Sequence, residues 1–322
     1  LENSPENKDK LYIVVPCYNE QAVLPETCSR LTAKLAALEQ AGKVADSSRI
    51  LFVDDGSSDG TWGLIESFHA QDARVSGLKL SRNRGHQNAL LAGLMTAKDN
   101  ADMAVSLDAD LQDDIDAIDK FIDEYHAGNE IVYGVRSSRK TDTFFKRKSA
   151  QFFYSLMNFM GADIINNHAD FRLMSARALD ALSQFGETNL FLRGIVPMIG
   201  YKYAIVYYER HERFAGESKY SLGKMISFAN EGIFSFSIKP IKMITSLGLI
   251  VFTVSIAMLI YTLISHAMGV TVQGWSSILC SVWAIGGLQL LAIGVIGEYI
   301  GKIYLETKAR PKYIIEKFLN EK

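Results

Sequence analysis

The chain has 322 residues, 48% of them hydrophobic, a formal net charge of −2 and three cysteines. That size admits one large domain or two smaller ones, and the near-neutral balance does not suggest a nucleic-acid partner. Cys17, Cys28 and Cys280 fall in no paired or metal-like spacing, which agrees with a reducing compartment and argues against a disulfide scaffold.

The polar start "LENSPENKDK" carries no apolar signal region, so the first portion is expected to stay in the cytoplasm. Five segments then read as strands: "LYIVVP", "RILFVDDG", "VSGLKLS", "MAVSLDAD" and "EIVYGVR". Helical patterns lie between them over residues 20–41, 60–72, 85–99 and 113–127. This alternation predicts an α/β domain with a largely parallel sheet and its active residues at the carboxyl edge. After the first two strands, Asn19 and Asp59 suit helix caps in strand-to-helix turns. Neither G-x-G-x-x-G nor G-x-x-x-x-G-K-[ST] follows the first strand, so dinucleotide and P-loop readings lack their signatures.

The fourth strand runs into Asp108 and Asp110. In an extended chain residues i and i+2 share a face, so two carboxylates would converge and repel unless a cation joined them. Asp113, Asp114 and Asp116 suit the first turn of the following helix instead. Acidic strand ends of this kind fit a site for ribose hydroxyls and a metal-bound diphosphate, since carboxylates accept hydrogen bonds from sugars and ligate hard cations. His86, in "RNRGHQNALLAG", reads as a helix-start residue.

Basic residues come next: Arg136 and Arg139 in "VYGVRSSRK", then Lys146, Arg147, Lys148 and Ser149 in "FFKRKSAQFFY". They suit a phosphate cradle or a solvated loop near an anionic membrane. Asp170, in "NNHADFRLMS", has Arg172 as its natural pair. "ERHERFAGESKYSLGK" adds Arg210, Arg213 and Lys219, and "ISFANEGIFSFSIKPIKM" reads as an amphipathic helix in the membrane interface. No charge interrupts Met243 to Ser265 or Trp275 to Gly297, and a bilayer core needs about 20 apolar residues. Lys239 and Lys242 precede the first run and Lys302, Lys308, Arg310 and Lys312 follow the second, while the connector carries no Lys or Arg. Both termini are therefore expected in the cytoplasm.

Taken in order, "VPCYNE", "DDGSSDGT", "DAD" followed by "LQDD", and "RFAGESKYSL" resemble the family-2 glycosyltransferases of GT-A fold. The match is specifically to the polyisoprenyl-phosphate glycosyltransferases, which include bactoprenol glucosyltransferases and dolichol-phosphate mannose synthases. The resemblance covers roughly residues 11–225, and the two-span tail looks like the bacterial bactoprenol branch. The Q-x-x-R-W signature of processive synthases is absent.

The resemblance implies that Pro16, Tyr18, Glu20 and Asp55 grip the base and ribose of a nucleotide sugar. Asp108 and Asp110 would hold Mg²⁺ or Mn²⁺ against the diphosphate, with Gln112 close behind. Arg136, Arg147 and Ser149 would cradle the acceptor phosphate, and Arg210, Arg213 and Lys219 would close over both. Asp170 would be a third catalytic carboxylate, either a base or a positioning group. The expected reaction is an inverting transfer of one sugar, glucose from UDP-glucose, to undecaprenyl phosphate. Another donor such as GDP-mannose, or a silent nucleotide-binding anchor, are the alternatives, and a homo-oligomer stays open. The expected layout is a GT-A domain over 1–225, an interfacial helix over 226–242, a transmembrane hairpin over 243–303 with spans at 243–265 and 275–297, and a cytoplasmic tail over 304–322.

Overall fold

The computed structural model describes residues 8–137, 168–187, 190–209, 239–268 and 274–320. The first compact unit is built on an eight-stranded sheet. Its strands are β1 (Leu11–Cys17), β2 (Arg49–Asp54), β3 (Val75–Leu80), β4 (Met103–Ser106), β5 (Ile131–Arg136), β6 (His168–Ser175), β7 (Tyr203–Tyr208) and β8 (Ile315–Leu319), in the spatial order β7-β5-β6-β4-β1-β2-β3-β8. The helices of this unit are α1 (Leu24–Gln40), α2 (Thr61–Gln71), α3 (His86–Lys98), α4 (Ala117–His126), α5 (Ala176–Ser183) and α6 (Leu192–Met198).

Every residue of β1 is buried, as a central strand covered on both faces requires, and its sequence is accordingly apolar throughout. Leu31, Leu35 and Leu38 of α1 pack into the same core at helical spacing, and Pro25 starts that helix where a missing N–H costs nothing. α3 can lie directly on the sheet because of Gly93: a Cβ there would stand 2.3 Å from Val14 Cγ1 and 2.7 Å from Val53 Cγ2.

The five expected strands and the four helical segments expected among them are present, but the sheet is mixed rather than largely parallel. β1 pairs in parallel with both β2 and β4, β2 pairs in parallel with β3, and β5 with β7. β6, not among the expected strands, runs antiparallel between β4 and β5. Its amino end therefore arrives at the edge where the parallel strands end, with Arg172 opposite Ser106 and His168 opposite Val135. The segment read as a tail contains β8, which pairs antiparallel with β3 and is tied down by Lys317 to Glu66 (2.7 Å) and Lys79 to Glu316 (2.9 Å).

The second unit holds two long helices that contact each other, α7 (Lys239–Ala267) and α8 (Trp275–Lys308). Large apolar side chains stand exposed along both, among them Ile250 and Val254 on α7 and Leu290 and Ile293 on α8. Among the described residues one stretch, Ile285–Lys308, is long and apolar enough to cross a membrane, with a mean hydropathy of 1.4 and none of it buried. α8 ends at Ala309, whose φ of 45° is left-handed, just before Pro311.

Candidate active site

The loops after β1 and β2 are laced together by side chains that accept backbone N–H groups. Asn19 Oδ1 accepts the Ser58 amide at 2.9 Å, Gln21 Oε1 accepts Gly60 N–H at 2.9 Å, and the Ser57 and Thr61 hydroxyls accept the amides of Asn19 and Glu20. Asn19 is thus a cross-loop brace with φ of 54°, not a helix cap. Asp59 does serve the start of α2, accepting Thr61 N–H at 3.0 Å. Gly56 is obligatory here, since its φ is +66° and a Cβ would lie 2.5 Å from the Arg82–Asn83 backbone.

Pro16 is fixed in β1 opposite Val53, and Tyr18 leaves its ring exposed. Asp55 is buried and accepts both the Arg84 amide (2.7 Å) and the Gly85 amide (2.9 Å). It pins the turn that starts α3. Burial pushes its pKa up despite those bonds. Asp54 beside it is fully buried, its Oδ2 has no hydrogen-bond partner among the described residues, and burial raises its pKa as well.

Strand alternation does not bring Asp108 and Asp110 together. β4 ends at Ser106, and the pair sits in the turn that follows, which passes through Leu111 at φ 54°. The Gln112 amide closes on Asp110 Oδ1 at 3.2 Å. Burial, then the charges of Asp113, Asp170 and Asp110, raise the Asp108 pKa, and His86 opposes them. Surplus negative charge on two hard, partly exposed oxygen donors fits a divalent cation. Among the described residues no three carboxylates, imidazoles or thiols stand close enough to complete a cation site, so phosphate oxygens and water would have to supply the remaining ligands, as is usual for Mg²⁺.

Asp170 lies near the amino end of β6 and is buried. Its carboxylate takes Arg172 Nη2 at 2.7 Å and Arg193 Nη2 at 2.9 Å, and His86 Nε2 lies 3.6 Å from it and equally 3.6 Å from Asp108. Burial would raise the Asp170 pKa, but Arg193, His86 and Arg172 together hold it well below the usual carboxylate range. His86 in turn is lifted to about 9: burial lowers it, and the nearby Asp170 carboxylate with the charge of Asp108 more than compensates. His86 does open α3, and it also joins two site carboxylates. Gln87 Oε1 accepts the Leu192 amide at 3.1 Å, so the start of α3 also sets the helix that carries Arg193.

On the other side of the Asp108 turn, Arg136 donates from Nη2 to Asp113 Oδ1 (3.3 Å) and from Nε to the Tyr208 hydroxyl (3.3 Å), which itself donates to Asp113 Oδ1 at 2.6 Å. Asp113 thus leaves the helical turn to which its sequence assigned it and joins this cluster. Arg193, Tyr208 and the roles of Gln87 and Asp113 escape sequence reading, because each belongs to an ordinary helix or strand pattern. The one available hint was a charge, Arg172, inside an otherwise apolar run. Arg147, Ser149, Arg210, Arg213 and Lys219 lie outside the described residues, as do most of the interfacial segment and the connector between α7 and α8.

Residues 12–183 match glycosyl transferase family 2. YkoT, an uncharacterized glycosyltransferase of Bacillus subtilis, is 55% identical across 97% of this chain and 92% of its own. The prophage bactoprenol glucosyl transferase homolog of Escherichia coli K12 is 39% identical over 96% of this chain and 99% of its own, and the bactoprenol glucosyl transferase of Shigella phage SfV is 40% identical over 97% and 99%. A solved mannosyltransferase from Pyrobaculum calidifontis, in complex with GDP-Man and Mn²⁺, is similar in fold, with a TM-score of 0.50, 15% identity, and 94% of this chain and 86% of that one covered.

Proposed function

The chain belongs to glycosyl transferase family 2 and has the GT-A fold, and from that premise we propose that it transfers glucose from UDP-glucose to undecaprenyl phosphate with inversion at the anomeric carbon. The observation that carries this reading is the meeting, at one sheet edge, of the acidic Asp108–Asp110 turn with Arg136, whose charge reaches Asp108. A nucleotide diphosphate with its cation suits the first, and an anionic acceptor suits the second. Relatives about 40% identical over nearly their whole length are named bactoprenol glucosyl transferases, which supports both the sugar and the lipid.

Tyr18 offers its exposed ring to the base, while Pro16, Glu20 and Asp55 line the ribose side. Asp108 and Asp110 hold Mg²⁺ or Mn²⁺ with Gln112 beside them. When bound, that ion neutralises charge on the departing diphosphate. The acceptor phosphate is largely anionic at neutral pH, with a second pKa of about 6, so it attacks C1 without a base as the C1–O bond to UDP breaks. Asp170, held ionised by two arginines and His86, suits a positioning role better than that of a proton acceptor. Arg136, Arg147 and Ser149 grip the acceptor phosphate, and Arg210, Arg213 and Lys219 close over the diphosphate and the acceptor.

In the same reading, residues 226–242 lie in the membrane interface, and α7 and α8 cross the bilayer as a hairpin. β7 and β8 belong to one sheet, yet both helices lie between them in sequence. The chain must therefore return to the side it left, which supports two crossings and cytoplasmic termini. The basic flanks point the same way. The test is a panel of sugar nucleotides with a short polyprenyl phosphate, read by lipid mass. UDP-glucose with Mg²⁺ or Mn²⁺ should give one added hexose, while EDTA or Asp110→Asn should lower the rate by about a hundredfold or more. Turnover that survives both, or a preference for another donor, would overturn the assignment in part or whole.

A further inference from the structure

We propose that Asp113 and Tyr208 are positioning residues that hold the Arg136 guanidinium off the Asp108–Asp110 pair and present its free edge to the acceptor phosphate, an inference that rests on the acceptor role given to Arg136. An arginine beside two carboxylates has an obvious competing partner. A planar fork pairs with a carboxylate through two parallel N–H bonds, and such pairs are among the strongest side-chain contacts. If Arg136 made that pair with Asp108 it would occupy oxygens a divalent ion needs and turn away from the acceptor.

The geometry blocks this. Asp113 Oδ1 and the Tyr208 hydroxyl engage Nη2 and Nε, which form one edge of the guanidinium, and Nη1 makes no hydrogen bond among the described residues. The clamp is itself braced. The Asp113 side chain is 1% exposed and takes the 2.6 Å bond from Tyr208. The Tyr208 ring packs edge-on against Phe171, with centroids 5.2 Å apart at 87°. The Tyr208 carbonyl accepts both the amide and the hydroxyl of Ser137, so the ends of β5 and β7 are sewn together at the residue following Arg136. Asp113 also lies on the same turn as Asp110, so a single turn carries both the cation-binding carboxylates and the group that keeps the arginine away from them.

The full chain in detergent can be tested with Mn²⁺ titrations in the presence of UDP, and with the KM for a short polyprenyl phosphate. Asp113→Asn should weaken Mn²⁺ binding and raise the lipid KM, each about tenfold, and adding Arg136→Gln should restore Mn²⁺ affinity, because the intruding cation is gone. Tyr208→Phe, which keeps the ring packing, should raise the lipid KM by several-fold with kcat changed less; if Asp113→Asn does not fold, this variant decides alone. Arg136→Ala separates the two layers of the argument. If it raises the lipid KM while Asp113→Asn and Tyr208→Phe leave KM and Mn²⁺ affinity within twofold of wild type, the clamp is wrong and the acceptor role stands. If Arg136→Ala leaves the lipid KM unchanged, the acceptor role fails and the clamp with it. A lower melting temperature with unaltered KM and Mn²⁺ affinity would likewise reduce both residues to packing and overturn the proposal.

Discussion

The two halves of the site are held together by different physics. Around β1 and β2, the loops over 17–21 and 55–61 are braced by neutral groups and single carboxylates accepting backbone amides. Around β4, β6, β5 and β7, ionised side chains hold one another: Asp170 with Arg172, Arg193 and His86, and Asp113 with Arg136. The first arrangement shapes a surface without committing much charge. The second stores charge of both signs in a small, partly buried volume, where removing one member strands the others. The half proposed for the nucleotide should therefore tolerate change, and the half built on ionised side chains should respond to single charges and to pH.

The sharpest break of that contrast is Asp170→Asn, which leaves Arg172, 1% exposed, without its anion. A loss of about 3–5 kcal/mol is expected, read from urea unfolding, and a loss below about 1 kcal/mol would show that the charge cluster is not what holds this edge.

His86 gives a smaller, pH-dependent signature. Its folded pKa of about 9 lies above its ordinary 6.5, so the folded state binds more protons than the unfolded one between those values. The stability His86 contributes is complete below about pH 6.5 and is lost as pH rises through about 9. In metal-free protein, wild type should lose stability across that window relative to His86→Gln, and parallel profiles for the two would remove His86 from the network. Smallest should be the effect in the loops after β1 and β2. Asn19→Ala forfeits the bonds to Ser58 and puts a Cβ-bearing residue without local hydrogen bonds at φ 54°, for about 1–2 kcal/mol. Asn19→Gly should cost less, because glycine accepts that backbone conformation, and a larger loss than for Asp170→Asn would invert the comparison.

What could be read from sequence follows the same division. β1 to β5 and α1 to α3 were legible within a few residues, because parallel buried strands are apolar runs and their helices alternate with them. The loops after β1 and β2 were legible as motifs, since glycine, serine and aspartate cluster there in order. β6 was not, because Arg172 interrupts its apolar pattern, and its antiparallel direction follows from a tertiary pairing that leaves no periodic trace. β8 was hidden by its position beyond a membrane-length helix, where a basic, polar stretch reads as a tail. Arg193 and Tyr208 are single residues brought to the site by neighbours over long sequence separations. The convergence expected of Asp108 and Asp110 rested on an extended strand, whereas a turn with Leu111 at positive φ is what carries them.

β8 also sets an order of events during synthesis. The ribosome makes β3 early and its edge partner only after both long apolar helices, so the outer edge of β3 lacks that partner while α7 and α8 are being made. An open edge is a template for pairing with other chains, and nascent domains otherwise fold from the amino end as they emerge. With α7 and α8 crossing the bilayer as proposed, the sheet is completed only after both spans have been made.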